Sequence, residues 1–380
     1  MYMEDLYMEK RRWYDKNIET SLLGFGAMRL TTVNGEIDEE KGFKLFDMAF
    51  ENGVNYFDTA YPYTNRKNET FVGKALKRYP RDKFFLATKF SLNSFDSKEA
   101  AMGSLDMQLK ALQMDYVDFY LIHALNKNTF QKFKDWDLMK QVLKWKEEGK
   151  IRHIGFSFHD DYETFKEILN YYDWEFVQIQ LNYMDTNIQQ GIQGYYDLLE
   201  RKIPVVVMEP VKGGKLADFN KDVAKDFKDY NDDSLAKWAL RWVGSLEGVK
   251  VILSGMNEES QVIDNLNTFK NFKPLNPEEL KLVENVAEKL KKVTKVGCTN
   301  CKYCLPCPQG VNIPRNFSIY NDYYMYNNKN SAMWPFSSLK EAKATPDMCV
   351  ECGLCVSKCP QGIDIPTELK NMMKDMEFLK

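Results

Sequence analysis

Residues 54–65 read Val-Asn-Tyr-Phe-Asp-Thr-Ala-Tyr-Pro-Tyr-Thr-Asn, and this stretch decides the fold. It begins as a short apolar strand and becomes a loop at Pro62, because proline cannot donate to the hydrogen-bond ladder of a central strand. The strand ends at Asp58, and Tyr63 follows five residues later. In barrels of alternating strands and helices, catalytic residues lie at the C-terminal strand ends and in the following loops. The stretch therefore predicts a strand end that carries part of an active site.

Short apolar segments alternate with helical patterns along most of the chain. The apolar segments are rich in Val, Ile and Phe without clean alternation, which is typical of parallel strands covered on both faces. Strands are predicted near 21–26, 54–57, 84–89, 117–122, 151–156, 175–181, 203–208 and 249–253. Helices are predicted near 39–52, 68–79, 97–114, 133–149, 161–171, 190–202, 231–244 and 258–269.

Eight such units in about 250 residues predict a (β/α)8 TIM barrel in the α/β class. A doubly wound open sheet is the alternative, and it is disfavoured because no Gly-x-Gly-x-x-Gly opens the first helix. Residues 1–17 form an extension without a readable role, and the barrel domain is predicted to span 18–293. The amphipathic pattern at 273–292, after two prolines, predicts a last helix before a small domain at 294–380.

Composition excludes several classes of function. The chain has 380 residues, 44% of them hydrophobic, and a formal net charge of −3. Without a basic cluster, no nucleic-acid partner is indicated. No apolar run approaches the roughly 20 residues of a membrane span, and the acidic N-terminal segment lacks the apolar core of a signal peptide. We therefore predict a cytoplasmic protein that does not associate with a membrane.

All eight cysteines fall in the predicted small domain, in two groups of four. The groups are Cys298-x2-Cys301-x2-Cys304-x2-Cys307-Pro and Cys349-x2-Cys352-x2-Cys355-x3-Cys359-Pro. The second matches the bacterial ferredoxin run for a [4Fe–4S] cluster, and the first is one residue shorter in its last gap. After each proline the chain repeats, as Gln-Gly-Val-Asn-Ile-Pro at 309–314 and Gln-Gly-Ile-Asp-Ile-Pro at 361–366. Two zinc sites are the alternative, but zinc sites more often use two separated Cys pairs.

The cysteine runs resemble those of two-cluster ferredoxins, in which the fourth Cys serves the other cluster. This resemblance implies two [4Fe–4S] clusters. The first would be held by Cys298, Cys301, Cys304 and Cys359, and the second by Cys349, Cys352, Cys355 and Cys307. The segment between the two groups is too long for a compact ferredoxin, and 316–328 reads as a helix with an aromatic face. The domain therefore resembles the mainly helical ferredoxin-like modules.

Two later predicted strands also end in polar residues, Lys89 and His123. Together with Asp58 and Tyr63, they are the residue types of a site that donates a proton to a carbonyl oxygen. The motif Asp58-Thr-Ala-x-x-Tyr63, with Lys89, His123 and the run Gly-Lys-Ile-Arg-His-Ile-Gly-Phe-Ser at 149–157, resembles the aldo-keto reductases. With its cysteine tail, the chain is similar to the subset of that family with a C-terminal iron–sulfur module.

The resemblance implies a role for each of these four residues. Tyr63 would donate the proton to the carbonyl oxygen while the cofactor delivers hydride to carbon. Lys89 would lower the pKa of the Tyr63 phenol, and Asp58 would hold Lys89 in place. His123 would hydrogen-bond the substrate oxygen and orient it. We interpret the other histidines, His153 and His159, as structural, with His159 close enough in sequence to Ser157 to face the mouth of the site.

The resemblance further implies NADH or NADPH as cofactor. The residues that would bind it are Ser157, Gln178, Met208, Pro210, Gly214, Ser254, Gly255, Asp264 and Asn265. Several positions depart from the family pattern. Phe158 stands where the family commonly has Asn, Met208 where it has a stacking aromatic residue, and Glu209 where it has a small polar residue. Glu258 and Glu259 replace the usual basic residues and would repel the 2′-phosphate of NADPH.

These observations predict an oxidoreductase of an anaerobe that reduces a small carbonyl compound or oxidises an alcohol. Hydride transfer moves two electrons together, whereas each cluster moves one. Coupling them needs a one-and-two-electron carrier, so the sequence leaves a flavin or a redox partner protein open, as well as clusters that are purely structural. The alternative function is an electron-transfer or redox-sensing subunit of a larger complex, whose barrel binds nicotinamide weakly.

Overall fold

A computed structural model describes residues 7–14, 17–298, 300, 302–359 and 361–379. Eight parallel strands form the closed barrel that the sequence predicts. In chain order these strands are β1 (Leu23–Gly26), β2 (Tyr56–Asp58), β3 (Phe85–Phe90), β4 (Val117–Leu125), β5 (Ile151–Phe158), β6 (Phe176–Gln180), β7 (Val205–Met208) and β8 (Val249–Ser254). Each strand pairs with its predecessor, and β8 pairs with β1 to close the barrel.

Helices follow the strands and continue into the C-terminal part of the chain. They are α1 (Glu39–Glu51), α2 (Asn68–Leu76), α3 (Lys98–Met102), α4 (Ser104–Leu112), α5 (Lys127–Asp135), α6 (Leu138–Glu147), α7 (Tyr162–Leu169), α8 (Gly191–Glu200), α9 (Lys221–Tyr230), α10 (Leu235–Gly244), α11 (Glu259–Phe269), α12 (Pro277–Lys292), α13 (Ile313–Tyr326), α14 (Lys329–Glu341) and α15 (Ile365–Asp375). In the part of the chain that the structure describes, no helix is both long and apolar enough to cross a membrane.

The strands bury alternate side chains in two separate apolar layers. On β2, Tyr56 belongs to a cluster that fills the barrel interior, and Phe57 belongs to the layer between barrel and helices. On β4, Phe119 and Leu121 share the inner cluster, whereas Tyr120 lies in the outer layer. Because successive side chains of a strand point to opposite faces, a polar residue two positions beyond an inner residue also faces the barrel axis. This rule determines which strand-end residues can meet.

The N-terminal extension contributes to the barrel. Strand Lys10–Arg12 pairs with strand Glu19–Ser21 in an antiparallel hairpin. Between them, Trp13 is fully buried, with its ring centre 4.7 Å from that of Phe119. The Trp13 indole donates a hydrogen bond of 2.9 Å to the Thr20 hydroxyl. Residues before the first barrel strand therefore fill the barrel interior, a role that the sequence did not reveal.

Several predicted helices have other bounds in the structure. The pattern at 97–114 forms two helices separated by Gly103, and the pattern at 133–149 covers parts of α5 and α6, which are separated at Asp137. Asp137 has φ of 49°, a left-handed conformation that a continuous helix cannot contain. Helix α14 was not among the predicted helices, and it contains Pro335, although proline in a helix interior normally breaks the helix.

The chain divides into two compact units, residues 1–212 with 237–276, and residues 213–236 with 277–380. The first unit contains the whole barrel. In the second, α9 packs on α12, and the Lys289 ammonium lies 2.6 Å from an Asp226 carboxylate oxygen. The predicted domain boundary between residues 293 and 294 stays a prediction.

The sequence repeat in the second unit corresponds to repeated local structure. The Gly310 amide donates to the Cys307 carbonyl at 2.9 Å, and the Gly362 amide donates to the Cys359 carbonyl at 3.1 Å. Both glycines have positive φ, of 78° and 64°, which explains why glycine occupies each turn. Helices α13 and α15 then both begin with Ile-Pro, because proline is compatible with the first helical turn.

Candidate active site and cluster sites

A buried ion pair joins the ends of β2 and β3. The Lys89 ammonium donates to an Asp58 carboxylate oxygen at 2.6 Å and to the Thr59 carbonyl at 2.7 Å. Lys89 is 0% exposed and Asp58 is 4% exposed, so neither charge is stabilised by bulk water. Burial alone would lower the pKa of the Lys89 ammonium, but Asp58 and Tyr63 more than offset this effect and raise it. Lys89 is therefore a fixed cation at neutral pH.

The loop that carries Tyr63 has an unusual backbone. Thr64, Asn65 and Arg66 all have positive φ, between 47° and 68°, which non-glycine residues adopt rarely. The fully buried Asn68 holds the loop, because its side chain accepts from the Thr59 hydroxyl at 2.7 Å and donates to the Thr64 hydroxyl at 3.3 Å. The strained turn after Tyr63 is thus fixed by a side chain at the start of α2.

Tyr63 lies over the Lys89 ammonium, which is 5.1 Å from the centre of the Tyr63 ring. Burial raises the pKa of the Tyr63 phenol, the Lys89 ammonium lowers it, and the nearby Asp58 and Glu209 carboxylates raise it. The net change is upward. The expected lowering by Lys89 is therefore present but is outweighed by burial. At neutral pH the phenol keeps its proton, and a cation lies beside the position where a phenolate would form.

His123 lies in a β-bulge near the end of β4. The pairing of β4 with β5 shifts register between Ile122 and Leu125, and Ala124 has φ of 51°. Bulges of this kind redirect side chains near active sites. The His123 ring centre is 6.0 Å from that of Tyr63, with the ring planes at 78°. Burial and the nearby Lys89 and His159 lower the pKa of His123 to about 3, so the imidazole is neutral at physiological pH.

His123 also has a buried hydrogen-bond partner. Its Nδ1 atom is 2.5 Å from the Ser91 hydroxyl oxygen. Ser91 is 5% exposed and follows β3 directly, two residues after Lys89. Ser91 was not among the site residues predicted from the sequence. Its position could have indicated it, because Ser91 follows Lys89 by two residues and residues two apart on a strand point to the same face.

A second buried carboxyl group lies behind the ion pair. Glu69, 2% exposed, accepts from the Thr88 hydroxyl at 2.5 Å and from the Gln108 amide at 2.7 Å. The Gln108 amide also donates to the Lys89 carbonyl at 3.0 Å, and the Tyr120 hydroxyl donates to Gln108 at 2.7 Å. This network fixes the backbone of β3 at the lysine. Glu69 and Gln108 come from helices α2 and α4, and Thr88 and Tyr120 from strands β3 and β4, so no local pattern pointed to the network.

Glu209 and His159, which were not predicted to be catalytic, interact electrostatically with this site. Burial lowers the pKa of His159, and the Glu209 carboxylate partly offsets this effect. For Tyr63, burial raises the pKa and Glu209 adds a smaller upward contribution. Glu209 has φ of 56° and lies 3.4 Å from the Arg29 guanidinium. His159 lowers the pKa of His123 and lies 3.3 Å from the Gln189 amide. That His159 faces the mouth of the site stays a prediction.

The predicted nicotinamide contacts lie on neighbouring strands. The Ser157 hydroxyl accepts the Ala124 amide at 2.8 Å, so Ser157 satisfies the bulge next to His123. The Gln178 amide donates to the Met208 sulfur at 3.4 Å. The Gln178 oxygen is buried and has no hydrogen-bond partner among the described residues. A buried acceptor without a donor is costly, so this oxygen is suited to an amide donor of a ligand.

The remaining predicted cofactor residues fall into two groups. Asn265 donates to the Ser254 hydroxyl at 2.8 Å, which joins α11 to the end of β8. A Cβ atom on Gly255 would lie 3.1 Å from the Arg29 side chain, so a larger residue here would require Arg29 to shift. The other three are Pro210, which is buried after β7, Asp264, which is half-buried on α11, and Gly214, which belongs to the second unit and has φ of 95°.

The two acidic residues at the start of α11 have cationic partners. The Lys41 ammonium is 2.5 Å from Glu258, and the Lys44 ammonium is 2.6 Å from Glu259. Both lysines are on α1, on the surface of the barrel unit. The two carboxylates that were expected to repel a phosphate are therefore each neutralised by a lysine from another part of the sequence.

The cysteines line two neighbouring cavities in the second unit. One is lined by Cys298, Cys304 and Cys359, and the other by Cys304, Cys307, Cys349, Cys352 and Cys355. The first cavity therefore contains the last cysteine of the second group, and the second cavity contains the last cysteine of the first group. Cys301 lies outside the described residues. None of the seven described cysteines is in a disulfide.

Comparison with known proteins identifies both parts of the chain. Residues 22–288 match the model of the aldo/keto reductase family, and residues 297–363 match a 4Fe-4S dicluster domain. A probable aldo-keto reductase 1 from Glycine max is 36% identical over 151 residues, 37% of this chain and 42% of that protein. L-galactose dehydrogenase from Arabidopsis thaliana is 27% identical over 312 residues, 76% of this chain and 97% of that protein.

A solved structure of an aldo-keto reductase from Bacillus halodurans in its holo form is 28% identical, with a TM-score of 0.62. The similarity covers 74% of this chain and 96% of that protein. The family model covers well over half of the chain, including the whole barrel. The protein therefore belongs to the aldo/keto reductase family of oxidoreductases and carries a 4Fe-4S dicluster domain after its barrel.

Proposed function

We propose that the protein reduces a small carbonyl compound, or oxidises the corresponding alcohol, with Tyr63 as the proton donor. The observation that carries this proposal is the Lys89 ammonium, which is fully buried, paired with Asp58 at 2.6 Å and located beneath the Tyr63 ring. A buried charge of this kind destabilises a fold unless it is well paired. Its position beside a half-buried phenol supports a catalytic use.

The four residues divide the work of proton transfer. Tyr63 keeps its proton at neutral pH because burial raises the pKa of its phenol. When the proton leaves, the Lys89 ammonium stabilises the phenolate, and this stabilisation needs no rearrangement because Asp58 and the Thr59 carbonyl already hold the ammonium. Neutral His123 binds the carbonyl oxygen by a hydrogen bond and does not compete with Tyr63 as an acid.

The cofactor of this reaction is a nicotinamide dinucleotide, which supplies the hydride when bound. The residues present fit this group. The Gln178 side-chain oxygen is buried without a partner among the described residues, and a carboxamide N–H would satisfy it. Ser157, Met208, Ser254 and Gly255 lie at the ends of β5, β7 and β8, where the family binds its cofactor.

The cysteine sets fit two [4Fe–4S] clusters, with Cys298, Cys301, Cys304 and Cys359 on one and the remaining four on the other. The lining of the two cavities supports this crossed assignment, because each cavity contains a cysteine from the other sequence group. Thiolates are the ligands that such clusters require. When bound, a [4Fe–4S] cluster supplies one-electron transfer, so coupling it to hydride transfer would need a flavin or a redox partner protein as intermediary.

A second candidate function is a redox-sensing or electron-transfer subunit whose barrel binds nicotinamide weakly. One observation favours it. Met208 replaces an aromatic residue, and its sulfur accepts the Gln178 amide, so the nicotinamide ring would meet a flexible thioether. The intact pairing of Asp58 with Lys89 favours the enzyme, because a subunit without turnover has no use for a buried ammonium under a phenol.

The deciding experiment compares Tyr63→Phe with the unchanged protein, both purified without oxygen. The visible spectrum is recorded before and after NADH and then NADPH, and turnover is measured with 4-nitrobenzaldehyde as the carbonyl probe. The enzyme function predicts that Tyr63→Phe lowers kcat by about 10²–10⁴-fold, the usual contribution of a general acid. Cofactor binding and cluster absorbance should remain unchanged.

Tyr61→Phe is the matched control, because Tyr61 lies in the same loop and its ring stacks on Phe95 at 5.5 Å, away from the ion pair. It should keep full turnover. Turnover that persists in Tyr63→Phe would overturn the assignment of the proton donor. A protein without turnover that still bleaches with NADH or NADPH would favour the electron-transfer function.

A further inference from the structure

We infer that Ser91 is a positioning residue that sets the tautomer of His123, so that His123 presents its Nε2–H to the substrate oxygen. This inference rests on the proposed carbonyl chemistry for its purpose, although not for its geometry. It concerns a contact between two strand ends that is complete in the protein before any substrate or cofactor binds.

Strand register brings the two side chains together. Residues Lys89 and Phe90 of β3 pair with Leu121 and Ile122 of β4, so the next residues, Ser91 and His123, are opposite each other. Both follow the inward-facing positions Lys89 and Leu121 by two residues, and therefore face the barrel axis. The resulting distance between the Ser91 oxygen and His123 Nδ1 is 2.5 Å, a short hydrogen bond in a buried place.

Hydrogen-bond accounting selects one tautomer. In neutral imidazole one ring nitrogen carries the proton and the other accepts. If Nδ1 carried it, the Ser91 hydroxyl would have to accept, and its own proton would have no acceptor within the described chain. Ser91 is 5% exposed, so water is a poor substitute. If the Ser91 hydroxyl donates to Nδ1, both groups are satisfied, and the proton of His123 resides on Nε2.

The charges around His123 keep it in the neutral form that this choice requires. Lys89 and His159 are the titratable neighbours that act on it, and both disfavour imidazolium, as does burial. In a doubly protonated ring, Nδ1 would also carry a proton, so the Ser91 hydroxyl could no longer donate to it. Ser91 thus makes the side chain next to Tyr63 a donor to the carbonyl oxygen, while Tyr63 remains the acid.

The tautomer can be read directly by nitrogen NMR. The cluster-loaded protein is labelled with ¹⁵N-histidine, and long-range ¹H–¹⁵N correlations report which ring nitrogen carries the proton. The chain has three histidines, so His123→Asn identifies the relevant signals by their loss. We expect a neutral His123 with its proton on Nε2 between pH 6 and pH 8. A proton on Nδ1 would overturn the inference.

Three variants separate positioning from folding. Ser91→Ala should convert His123 to a mixture of tautomers and lower kcat for 4-nitrobenzaldehyde by about tenfold or more, since misorientation of a catalytic group has effects of that size. Ser91→Thr keeps the hydroxyl and should restore the single tautomer and most of the rate. Ser94→Ala, in the same loop, should match the unchanged protein in both measurements.

The tautomer and the turnover test different claims, so one can be refuted without the other. An unaltered Nε2–H signal in Ser91→Ala would refute the role of Ser91 whatever the activity. A tautomer that shifts as expected, in a protein without carbonyl turnover, would keep the positioning role and refute the proposed function instead. Circular dichroism of each variant confirms the fold, and Ser91→Thr remains informative where Ser91→Ala does not fold.

Discussion

The barrel mouth and the cysteine segment support their reactive groups in opposite ways. At the mouth, Lys89 and Asp58 are almost fully buried at strand ends, and hydrogen bonds of 2.6 Å and 2.7 Å fix the ammonium before a ligand is present. In the cysteine segment, Cys352 is exposed and the other six described cysteines are half-buried, on loops between helices. The first site is held by its own hydrogen bonds, and we expect the geometry of the second to depend on the group that it binds.

The strongest test of this contrast is removal of iron. Chelation should unfold the cysteine loops and loosen α13 and α15, because binding of structural metal in small domains contributes about 10 kcal/mol or more to their folding. The barrel strands should be unaffected. Hydrogen exchange with mass spectrometry, before and after anaerobic chelation, measures both regions in one sample. Equal loss of protection in β3 and β4 would contradict the contrast, because the barrel site would then also depend on the bound iron.

The next largest effect concerns the ion pair of the barrel. Lys89→Met should lower the free energy of unfolding by about 3–5 kcal/mol, because it leaves the buried Asp58 without its partner. Lys89→Met combined with Asp58→Leu should regain part of this loss, since both buried charges are then removed. Urea denaturation of the barrel, followed by tryptophan fluorescence, gives these values. A double variant less stable than either single variant would show that packing, and not charge, dominates.

The free energy of unfolding should depend on pH through His123, and the pKa of His123 gives the sign of this dependence. Its ordinary pKa is 6.5 and its pKa in the folded protein is about 3, so the unfolded chain binds the proton more tightly. The contribution of His123 to stability is therefore complete above pH 6.5 and is lost as the pH falls towards 3. The maximum slope is about 1.4 kcal/mol for each pH unit in this window.

The measurement is the free energy of unfolding at pH 7, 6 and 5 for the unchanged protein and for His123→Gln. The difference between the two proteins should shrink with acidification, because glutamine does not titrate. Acid sensitivity from other groups, including the cluster thiolates, is common to both and cancels. A difference that stays constant over this range would mean that His123 has the same pKa in the folded and the unfolded protein.

Both sites leave local signals in the sequence. Asp58, Tyr63, Lys89 and His123 each follow a recognisable strand pattern, and the cysteine spacing is a strictly local signal. Both therefore pointed to a barrel and to a dicluster domain, which the structure and the comparisons confirm. The assignments of individual residues to catalysis and to cofactor binding stay predictions.

What the sequence did not reveal depends on contacts between distant segments. Asn68 and Gln108 reach the site from helices, and Ser91 acts only through the strand register that places it beside His123. Trp13 fills the barrel interior from an extension with no recognisable pattern. Tertiary packing also overrode local rules, since α14 continues past Pro335. Gln108 and Ser91 have their decisive partners 19 and 32 residues away in the sequence, whereas Asn68 acts on the nearby Thr59 and Thr64.

The smallest expected effect concerns the exposed counterpart of the buried ion pair. Glu258 and Glu259 pair with Lys41 and Lys44 on the surface, where an ion pair contributes only about 0–1 kcal/mol because water and salt screen it. The double variant Glu258→Gln with Glu259→Gln should therefore unfold at nearly the same urea concentration as the unchanged protein.

Cofactor binding should be more sensitive than stability to this change. Removal of both carboxylates leaves Lys41 and Lys44 available to a phosphate, so we expect the Kd for NADPH to fall by about three- to tenfold at low salt, and the Kd for NADH to stay constant. Fluorescence titration of each cofactor at two salt concentrations measures the effect. If both cofactors respond equally, the start of α11 does not contact the 2′ position, and the buried site alone determines cofactor affinity.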